Sequence, residues 1–345
     1  MPRKLVLLLT VLLVHGFSTG AIASEVTTTA SMTGIVTAAK NFLATLDATQ
    51  RARVVYDFQD DTQRKRWTNF PATSGNRRGG LRMGDLKSGQ RQAVLAMLAA
   101  ALSPQGYDKV LQITEGDDVL RGPFGRSMFG RDEYYVSFLG QPSVTEPWML
   151  QFGGHHLGLN VTLVGERGTL APTLTGAQPA SFTLEGKLIR PLGRELDKAF
   201  ALVSSLNAQQ RERAILGFQI RDLVLGPGRD GVLIQPEGIK GSALTTQQRE
   251  MLLDLASEWT GILNNTQART KMDELRNNIA ETWFAWSGPV ERDRAAYFRI
   301  QGPTVHIEYA PQGRGGDHGG PRGRLRGGAQ LRWPRLCGGA HERGG

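Results

Sequence analysis

Cysteine is almost absent from this sequence, with Cys337 as its single example among 345 residues. One cysteine excludes an internal disulfide and any paired CxxC motif. The core must therefore be held by packing alone, or by packing and a metal. Long apolar runs are also missing after the N-terminus, where no segment approaches the roughly 18 apolar residues of a membrane span.

The N-terminus has the three parts of a secretory signal. Arg3 and Lys4 precede an apolar run over residues 5–14, and the small-x-small pattern Ala21-Ile22-Ala23 follows it. About ten apolar residues are too few to cross a bilayer, so we predict a signal peptide over residues 1–23 rather than an anchor. The mature chain is expected to be exported, to the periplasm or the extracellular space.

Familiar enzyme signatures are missing as well. The sequence has no GxSxG, GxxxxGK[ST] or HExxH motif, and no strand that leads through GxGxxG into a helix. The Gly-rich residues 122–130 lack the flanking strand and helix of a phosphate-binding loop. We interpret them as a surface loop.

Positive charge is concentrated at the two ends of the chain. Of the net charge of +9, residues 3 and 4 supply two, and residues 313–345, with seven Arg and two acidic residues, supply five. The body, residues 24–312, keeps only +2, so no nucleic-acid-binding groove is expected on it. Residues 313–345 are rich in Gly and Arg without apolar periodicity, which predicts a disordered tail. A solvated or frame-shifted tail is favoured over an arm that binds nucleic acid.

Helical and strand patterns come in blocks. Apolar periodicity and capping residues predict helices over residues 33–46, 49–58, 89–102, 103–114, 195–206, 208–220 and 246–263. Strands are predicted over residues 134–139, 148–152, 158–164, 181–184, 295–300 and 304–309. Blocks of this kind indicate an α+β fold with helices packed around antiparallel sheet.

A short pattern of Leu, a cap-forming residue, two further residues, Gln and Arg recurs along the body. It occurs at residues 46–51, 206–211 and 244–249, and more weakly at residues 86–91. Each copy has the composition of a capping box at a helix start. Because the spacing is irregular, we interpret the copies as independent caps rather than as a repeat.

Two segments carry candidate chemistry. In Gly153-Gly154-His155-His156, glycines next to two imidazoles favour a bent strand that holds a ligand or metal, although a buried strand histidine is the more common case. Further along, His306 and Glu308 alternate onto one strand face, where they can share an ion or lie in solvent.

Several ordered motifs in the body resemble a known family. They are residues 135–143, 148–160, 172–180, 284–288 and 297–303, followed by Glu308. Together, over residues 35–312, they resemble the bacterial family DUF3500, which brings no established activity. The resemblance implies a His-x-His and Arg-Asp segment after Glu308, and the Gly/Arg-rich end of this chain departs from it.

The leading hypothesis is a metal-dependent hydrolase. In it, His155, His156 and Glu308 bind a divalent metal such as Zn or Cu, with Trp148 and Asn160 as supporting contacts. This requires the two imidazoles and the distant carboxylate to converge on one ion.

The alternative is a non-catalytic periplasmic protein that binds a small molecule. In that case Trp148, Trp283 and Trp286 line a ligand cleft, and the histidines form hydrogen bonds within it.

Overall fold

The fold consists of α-helices arranged around a large, mainly antiparallel sheet. A computed structural model describes residues 32–73, 78–122, 128–292 and 294–311, and the backbone of residues 327–332. The predicted signal peptide and most of the predicted tail lie outside these residues. None of the helices described is long and apolar enough to cross a membrane.

The helices of the described residues are α1 (Met32–Ala44), α2 (Ala48–Val54), α3 (Asp61–Arg64), α4 (Ser88–Ala101), α5 (Pro104–Arg121), α6 (Gly193–Ser205), α7 (Ala208–Ala214), α8 (Thr246–Thr260) and α9 (Asn265–Asn277). The strands are β1 (Val55–Tyr56), β2 (Leu81–Arg82), β3 (Tyr135–Leu139), β4 (Trp148–Gly154), β5 (Leu157–Val164), β6 (Arg167–Leu170), β7 (Thr173–Ala177), β8 (Phe182–Leu184), β9 (Lys187–Ile189), β10 (Ile239–Lys240), β11 (Trp283–Ser287), β12 (Tyr297–Gly302), β13 (Val305–Pro311) and β14 (Gly327–Arg332).

Twelve of these strands form one sheet, in the order β1-β3-β4-β5-β7-β14-β13-β12-β11-β10, with β2 added on β3 and β6 on β5. The α+β prediction is confirmed. The capping signals placed the starts of α2, α7 and α8 to within a residue, whereas α9, β7 and β11 were not predicted.

Strand β14 corrects part of the tail prediction. Residues 327–332 belong to the segment expected to be disordered, yet their backbone pairs with β13 on one side and with β7 on the other. Backbone N–H and C=O groups pair whatever the side chain, and two open strand edges supply partners for both rows. A composition that predicts disorder is therefore overridden by the position of the segment between two edges.

The central strand order β3-β4-β5-β7 occurs again as β11-β12-β13-β14, reversed across the β7–β14 junction. Each half has a pair of packed helices, α1 with α4 in the first half (residues 32–192) and α6 with α8 in the second half (residues 193–332). In each half, three consecutive antiparallel strands follow, β3-β4-β5 and β11-β12-β13. This is the order expected of two copies related by an approximate two-fold axis.

Two backbone hydrogen bonds between the halves are related by the same approximate two-fold symmetry. Ser103 donates its N–H to the carbonyl of Ile262 at 3.0 Å, and Asn264 donates its N–H to the carbonyl of Ala101 at 3.3 Å. A shift of 161 positions exchanges the two bonds, because 101 becomes 262 and 103 becomes 264. Ser103 and Asn264 are also the N-caps of α5 and α9. The contact is therefore isologous, as at the axis of a symmetric dimer.

The recurring capping pattern is the sequence trace of this duplication. Gln50 and Gln90 exchange side-chain amide hydrogen bonds, and Gln210 and Gln248 do the same in the second half. Residues 46–59 and 206–219 are identical at seven of fourteen positions when shifted by 160. The interpretation as independent caps is therefore wrong. Insertions of different length between the elements make the spacing irregular and conceal the repeat.

The sheet has one apolar face and one mixed face, and the mixed face positions the candidate site. Helices cover the apolar face, where Phe42 of α1 stacks on Phe138 at 6.1 Å and Phe200 of α6 lies 5.0 Å from Trp286. On the opposite face, residues 57–73 and 78–80 run over the first half and residues 215–238 over the second half. These covering segments hold the polar chemistry described next.

Candidate functional site

A cleft opens between the first half of the sheet and its covering segment. We call it the β3–β5 cleft. Residues that line it include Gln63, Arg66, Trp67, Arg78, Gln151, Gly153, Gly158 and Asn160. The cleft opens to solvent. It lies on the mixed face of the sheet and ends at the turn between β4 and β5.

Glycine on two adjacent strands makes the floor of the cleft. Gly153 of β4 and Gly158 of β5 are cross-strand partners. A Cβ on Gly158 would lie 3.2 Å from the ring of Trp67, which packs across that position. A side chain at 158 would push against the indole, and a branched one would narrow the cleft.

Side-chain amides build the inner wall. Gln63 Nε2 donates to Gln151 Oε1 at 2.9 Å, and Gln151 Nε2 donates to Asn160 Oδ1 at 2.9 Å. Asn160 Nδ2 in turn donates to the carbonyl of Pro172 at 2.6 Å. All three amides are buried. A linked network of this kind fixes the orientation of each amide and keeps the wall uncharged.

Arg78 joins the cleft to the β4–β5 turn. Its Nη2 donates to the carbonyls of Thr68, Phe70 and Gly154 at 2.9, 2.7 and 2.9 Å. These three bonds fasten the covering segment to the sheet. Burial lowers the pKa of the Arg78 guanidinium, so the structure opposes the charge on this side chain.

The described carboxylates near Arg78 are engaged elsewhere. Glu133 forms an ion pair with Arg82, and Asp117 contacts His155. Both act on Arg78 only through longer-range attraction. Arg66 and Arg78 are the charged side chains among the residues that line the cleft, and no acidic residue lines it within the described chain.

Three buried polar atoms at the cleft have no hydrogen-bond partner within the described residues. They are Gln63 Oε1, Trp67 Nε1 and Arg78 Nη1. Gln63 is 2% exposed and Trp67 is 8% exposed. Native proteins rarely leave such atoms unpaired, and a group of them around one opening is typical of a site that receives a ligand or ordered water.

The histidine pair lies at the β4–β5 turn, next to the cleft. His155 Nδ1 is 2.6 Å from Asp117 Oδ1 on α5, and His156 Nε2 is 3.1 Å from Gln178 Oε1. The two rings are 3.9 Å apart, and Phe129 lies 4.8 Å from the His155 ring. Each imidazole is thus oriented by a different polar partner.

The turn itself holds an uncommon backbone conformation. His156 has φ of 103°, a value that residues with a side chain rarely adopt. The carbonyl of His156 accepts the N–H of Gly176 at 2.6 Å, and Tyr134 Oη donates to the carbonyl of His155 at 2.8 Å. Such strained residues persist only where surrounding bonds fix them, and they occur often at functional sites.

Asp117 is the strongly perturbed acid of this cluster. Burial raises its pKa to about 7, against opposing contributions from the N–H of Gly130, His156 and Arg78. Gly130 N–H donates to Asp117 Oδ2 at 2.9 Å. A carboxyl group with a pKa near neutrality, in contact with an imidazole, can exchange a proton at physiological pH.

Glu308 lies apart from the two histidines, which corrects the predicted metal site. Its carboxylate accepts the N–H groups of Val224 and Leu225 at 3.0 and 2.8 Å and the hydroxyl of Tyr297 at 2.5 Å. No three His, Cys, Asp or Glu side chains of the described residues are close enough to bind one metal ion. His155, His156 and Glu308 therefore do not form a shared site, because β7 and β14 separate β5 from β13.

The predicted supporting residues have mixed outcomes. Asn160 lines the cleft, as an amide of its wall. Trp148 is fully buried on the helix-covered face, where it stacks on Phe138 and donates to the carbonyl of Ser143. Trp286 is also a core residue, and Trp283 lies in the second half on β11. Trp67, which sequence reasoning missed, is the indole at the cleft.

Asp117 was missed although a signal for it exists. Val110, Ile113 and Asp117 follow helical spacing on the buried face of α5. A carboxylate that continues an apolar stripe is expected to meet a buried partner, and here that partner is His155. Arg78 and Trp67 gave no comparable signal, because they lie in irregular segments whose path only the fold defines.

A polar cleft on the face of a duplicated α+β sheet, beside an Asp–His pair, defines a class of candidate binding sites but no particular activity. Residues 28–321 match the family described as "Protein of unknown function (DUF3500)", and because the match spans most of the chain, the protein belongs to this family. No curated protein and no solved structure matches the chain.

Proposed function

We propose that the protein binds a small polar molecule in the β3–β5 cleft. The unpaired polar atoms of Gln63, Trp67 and Arg78 carry this proposal, because all three belong to residues that line one opening. An unpaired buried polar atom costs roughly 1–3 kcal/mol. A ligand that supplies partners to all three relieves that cost.

This function corresponds to the binding-protein alternative of the sequence analysis, with Trp67 as the aromatic residue. The metal-dependent hydrolase receives less support, since its three proposed ligands do not converge. We place the binding protein outside the cytoplasm, because residues 1–23 have the composition of a signal peptide.

The Asp117–His155 pair favours a second candidate function, proton-transfer catalysis on the bound molecule. A 2.6 Å contact between a carboxyl and an imidazole is the arrangement that orients a general base. We expect wild-type protein to convert a bound molecule, and Asp117→Asn to bind it without conversion, as followed by mass spectrometry. Binding without conversion by both proteins would leave only the first function.

The binding function is tested through the indole N–H of Trp67. Wild-type protein labelled with ¹⁵N is titrated with a mixture of small polar compounds, and Trp67→Phe identifies the Trp67 resonance. We expect compounds that bind to shift this resonance, because the indole N–H gains a hydrogen-bond acceptor. A spectrum in which compounds bind and the Trp67 resonance stays fixed would contradict the proposed site.

A pair of glycine variants provides the control. Gly158→Val places methyl groups against the Trp67 ring and is expected to abolish binding. Gly165→Asn lies in the β5–β6 turn, where a Cβ meets open space and asparagine tolerates the positive φ of 54°. It is expected to bind like wild type. Equal binding by both variants would contradict the proposal.

A further inference from the structure

The charges around the β3–β5 cleft narrow the class of ligand, on the basis of the binding function proposed above. Of the residues that line the cleft, Arg66 and Arg78 are cationic and none is acidic. Arg66 is exposed at the rim, whereas Arg78 lies deeper and fastens the covering segment to the sheet. The cleft therefore attracts negative charge.

Arg78 is a cation without a counter-ion in the described structure. Its three hydrogen bonds all go to neutral carbonyls through Nη2, and Nη1 has no partner among the residues that the structure describes. Removing a cation from water is costly unless an anion compensates it. Asp117 and Glu133 are the carboxylates that attract the Arg78 charge from a distance. Asp117 contacts His155 and Glu133 contacts Arg82.

The second half of the molecule carries a charged pair of residues at the same position. Arg299 and Glu308 are cross-strand partners at the places that Gln151 and Asn160 occupy in the first half. Arg299 Nη2 is 2.7 Å from Glu237 Oε2, and Glu308 fills the space beneath residues 224 and 225. The second half thus carries its own carboxylates where the first half carries neutral amides and a cleft.

We propose that the ligand of the β3–β5 cleft is a small organic carboxylate whose acid group binds Arg78 Nη1 and Trp67 Nε1. The Arg78 guanidinium and the indole N–H both donate, so they suit an acceptor with two oxygens. Gln63 Oε1 accepts a hydroxyl or amine of the same molecule. The ring of Trp67 contacts its carbon skeleton.

One buried guanidinium sets the charge of the ligand. A carboxylate carries a single negative charge and matches Arg78, whereas a phosphate monoester carries close to two at neutral pH. Arg66 at the exposed rim is solvated and compensates little of a second charge. A monocarboxylate is therefore the class that leaves no buried charge unpaired.

The test uses matched acid and neutral probes with wild-type protein. The pairs are glucuronate with glucose, lactate with propane-1,2-diol, and 4-hydroxybenzoate with 4-hydroxybenzyl alcohol. Binding is measured by calorimetry and by the shift of the Trp67 indole resonance. We expect at least one acid to bind about tenfold or more tightly than its neutral partner, the factor of a charge-assisted hydrogen bond.

Three arginine variants complete the test. Arg78→Gln is expected to weaken binding of the acid about tenfold or more, and Arg66→Gln about two- to fivefold, since a rim charge acts mainly by screened attraction. Arg53→Gln, at an exposed position on α2, is the control and is expected to bind like wild type. Arg66→Gln keeps the test decisive if Arg78→Gln fails to fold.

The outcomes separate this inference from the function on which it rests. Acids that bind selectively, and lose affinity in the Arg78 or Arg66 variant, support both. Neutral probes that bind as tightly as their acids, with a shift of the Trp67 resonance, would overturn the carboxylate class and leave the cleft as a binding site. Phosphate monoesters that bind more tightly than every carboxylate would also overturn it. No shift with any probe would count against both proposals.

Discussion

The two halves of the sheet place different chemistry at equivalent positions. In the first half, Gln151 and Asn160 face each other across β4 and β5; in the second half, Arg299 and Glu308 face each other across β12 and β13. The first pair is neutral and lines an open cleft. The second pair is charged, fully buried, and covered by backbone that donates directly to Glu308.

This difference shows how one scaffold can serve stability in one copy and binding in the other. In the second half, Glu308 is bonded to two backbone N–H groups and Arg299 is paired with Glu237, while Arg299 Nε has no partner among the described residues. In the first half, Arg78 keeps an unpaired nitrogen beside a glycine floor. A charge satisfied internally indicates a structural role, and a charge left to an outside partner indicates a binding role.

The largest expected effect separates the halves at this pair. Glu308→Ala leaves two backbone N–H groups and the Tyr297 hydroxyl without an acceptor, so we expect a loss of about 3–5 kcal/mol in the free energy of unfolding. Asn160→Ala at the equivalent position removes neutral hydrogen bonds and is expected to cost about 1–2 kcal/mol. Urea denaturation measures both. Equal losses in the free energy of unfolding for the two variants would contradict this difference between the halves.

Equivalent glycines are expected to respond alike. Gly80 and Gly238 have φ of 93° and 98°, and a Cβ on either would lie 2.1 or 2.2 Å from the carbonyl oxygen of Val136 or Phe284. We expect Gly80→Ala and Gly238→Ala to cost about 2–3 kcal/mol each.

Denaturation of the two variants, with Gly89→Ala as control, checks this expectation. A Cβ on Gly89 meets open space at the start of α4, so its stability is expected to stay within about 0.5 kcal/mol of wild type. A large loss at only one of the two equivalent glycines would contradict a shared backbone design.

The halves also differ in the pH range over which an acid affects stability. The pKa of Asp117 is raised to about 7 in the folded state, so the folded protein holds a proton that the unfolded chain has lost above pH ~4. The contribution of Asp117 to the free energy of unfolding is complete below about pH 4 and declines as the pH rises to 7. His155, His156, Asp118 and Arg78 are the ionisable groups around it.

We expect about 2 kcal/mol less stability at pH 7 than at pH 5 from this group. Asp117→Asn is expected to remove that decline, as measured by thermal unfolding at both pH values. A variant with the same decline as wild type would show that Asp117 does not cause it.

Glu308 is expected to act at lower pH and in the opposite direction. Burial raises its pKa, but His306 and the hydrogen bonds from Tyr297 and the N–H of Leu225 outweigh burial, so the pKa is lowered overall. Its contribution is present above the pKa of the unfolded chain, near 4, and is lost as the pH falls further. Glu308→Gln is expected to flatten the acid limb of the stability curve and leave the interval from pH 5 to 7 unchanged.

The smallest expected effect concerns an ion pair that occurs in both halves. Arg82 binds Glu133 through Nε and Nη2, and Lys240 binds Glu281 at the equivalent place. Arg82→Ala is expected to cost about 1 kcal/mol, because its partner is buried and the contact is bidentate. Lys240→Ala is expected to cost about 0.3 kcal/mol. Denaturation of both variants measures which one loses more stability. A larger loss in Lys240→Ala than in Arg82→Ala would contradict the expectation.

The sequence predicts the helix starts and the central strands, since capping and alternation are local signals. Asp47, Asn207 and Thr245 cap the helices that their patterns indicate. The duplication is present in the same caps but is concealed by unequal insertions. Strand β14 lies beyond local reasoning, because it depends on two distant strand edges.

The candidate site also contains some residues that the sequence predicts and others that it does not. Gly153, His155 and Asn160 stand in a motif that the sequence displays, and all three lie in or beside the cleft. Glu308 looked like a ligand because His306 shares its strand face, but tertiary contacts assign it to the backbone of residues 224 and 225. Trp67 and Arg78 enter through a segment without regular structure, whose path no periodicity encodes.

A crystal structure of the protein soaked with the best-binding carboxylate probe shows where an acid group binds. We expect an acid group within hydrogen-bond distance of Arg78 Nη1 and Trp67 Nε1, above Gly153 and Gly158. We expect no second molecule beside Arg299. A probe bound against Arg299 and Glu308, with the β3–β5 cleft unoccupied, would contradict the division of roles between the halves.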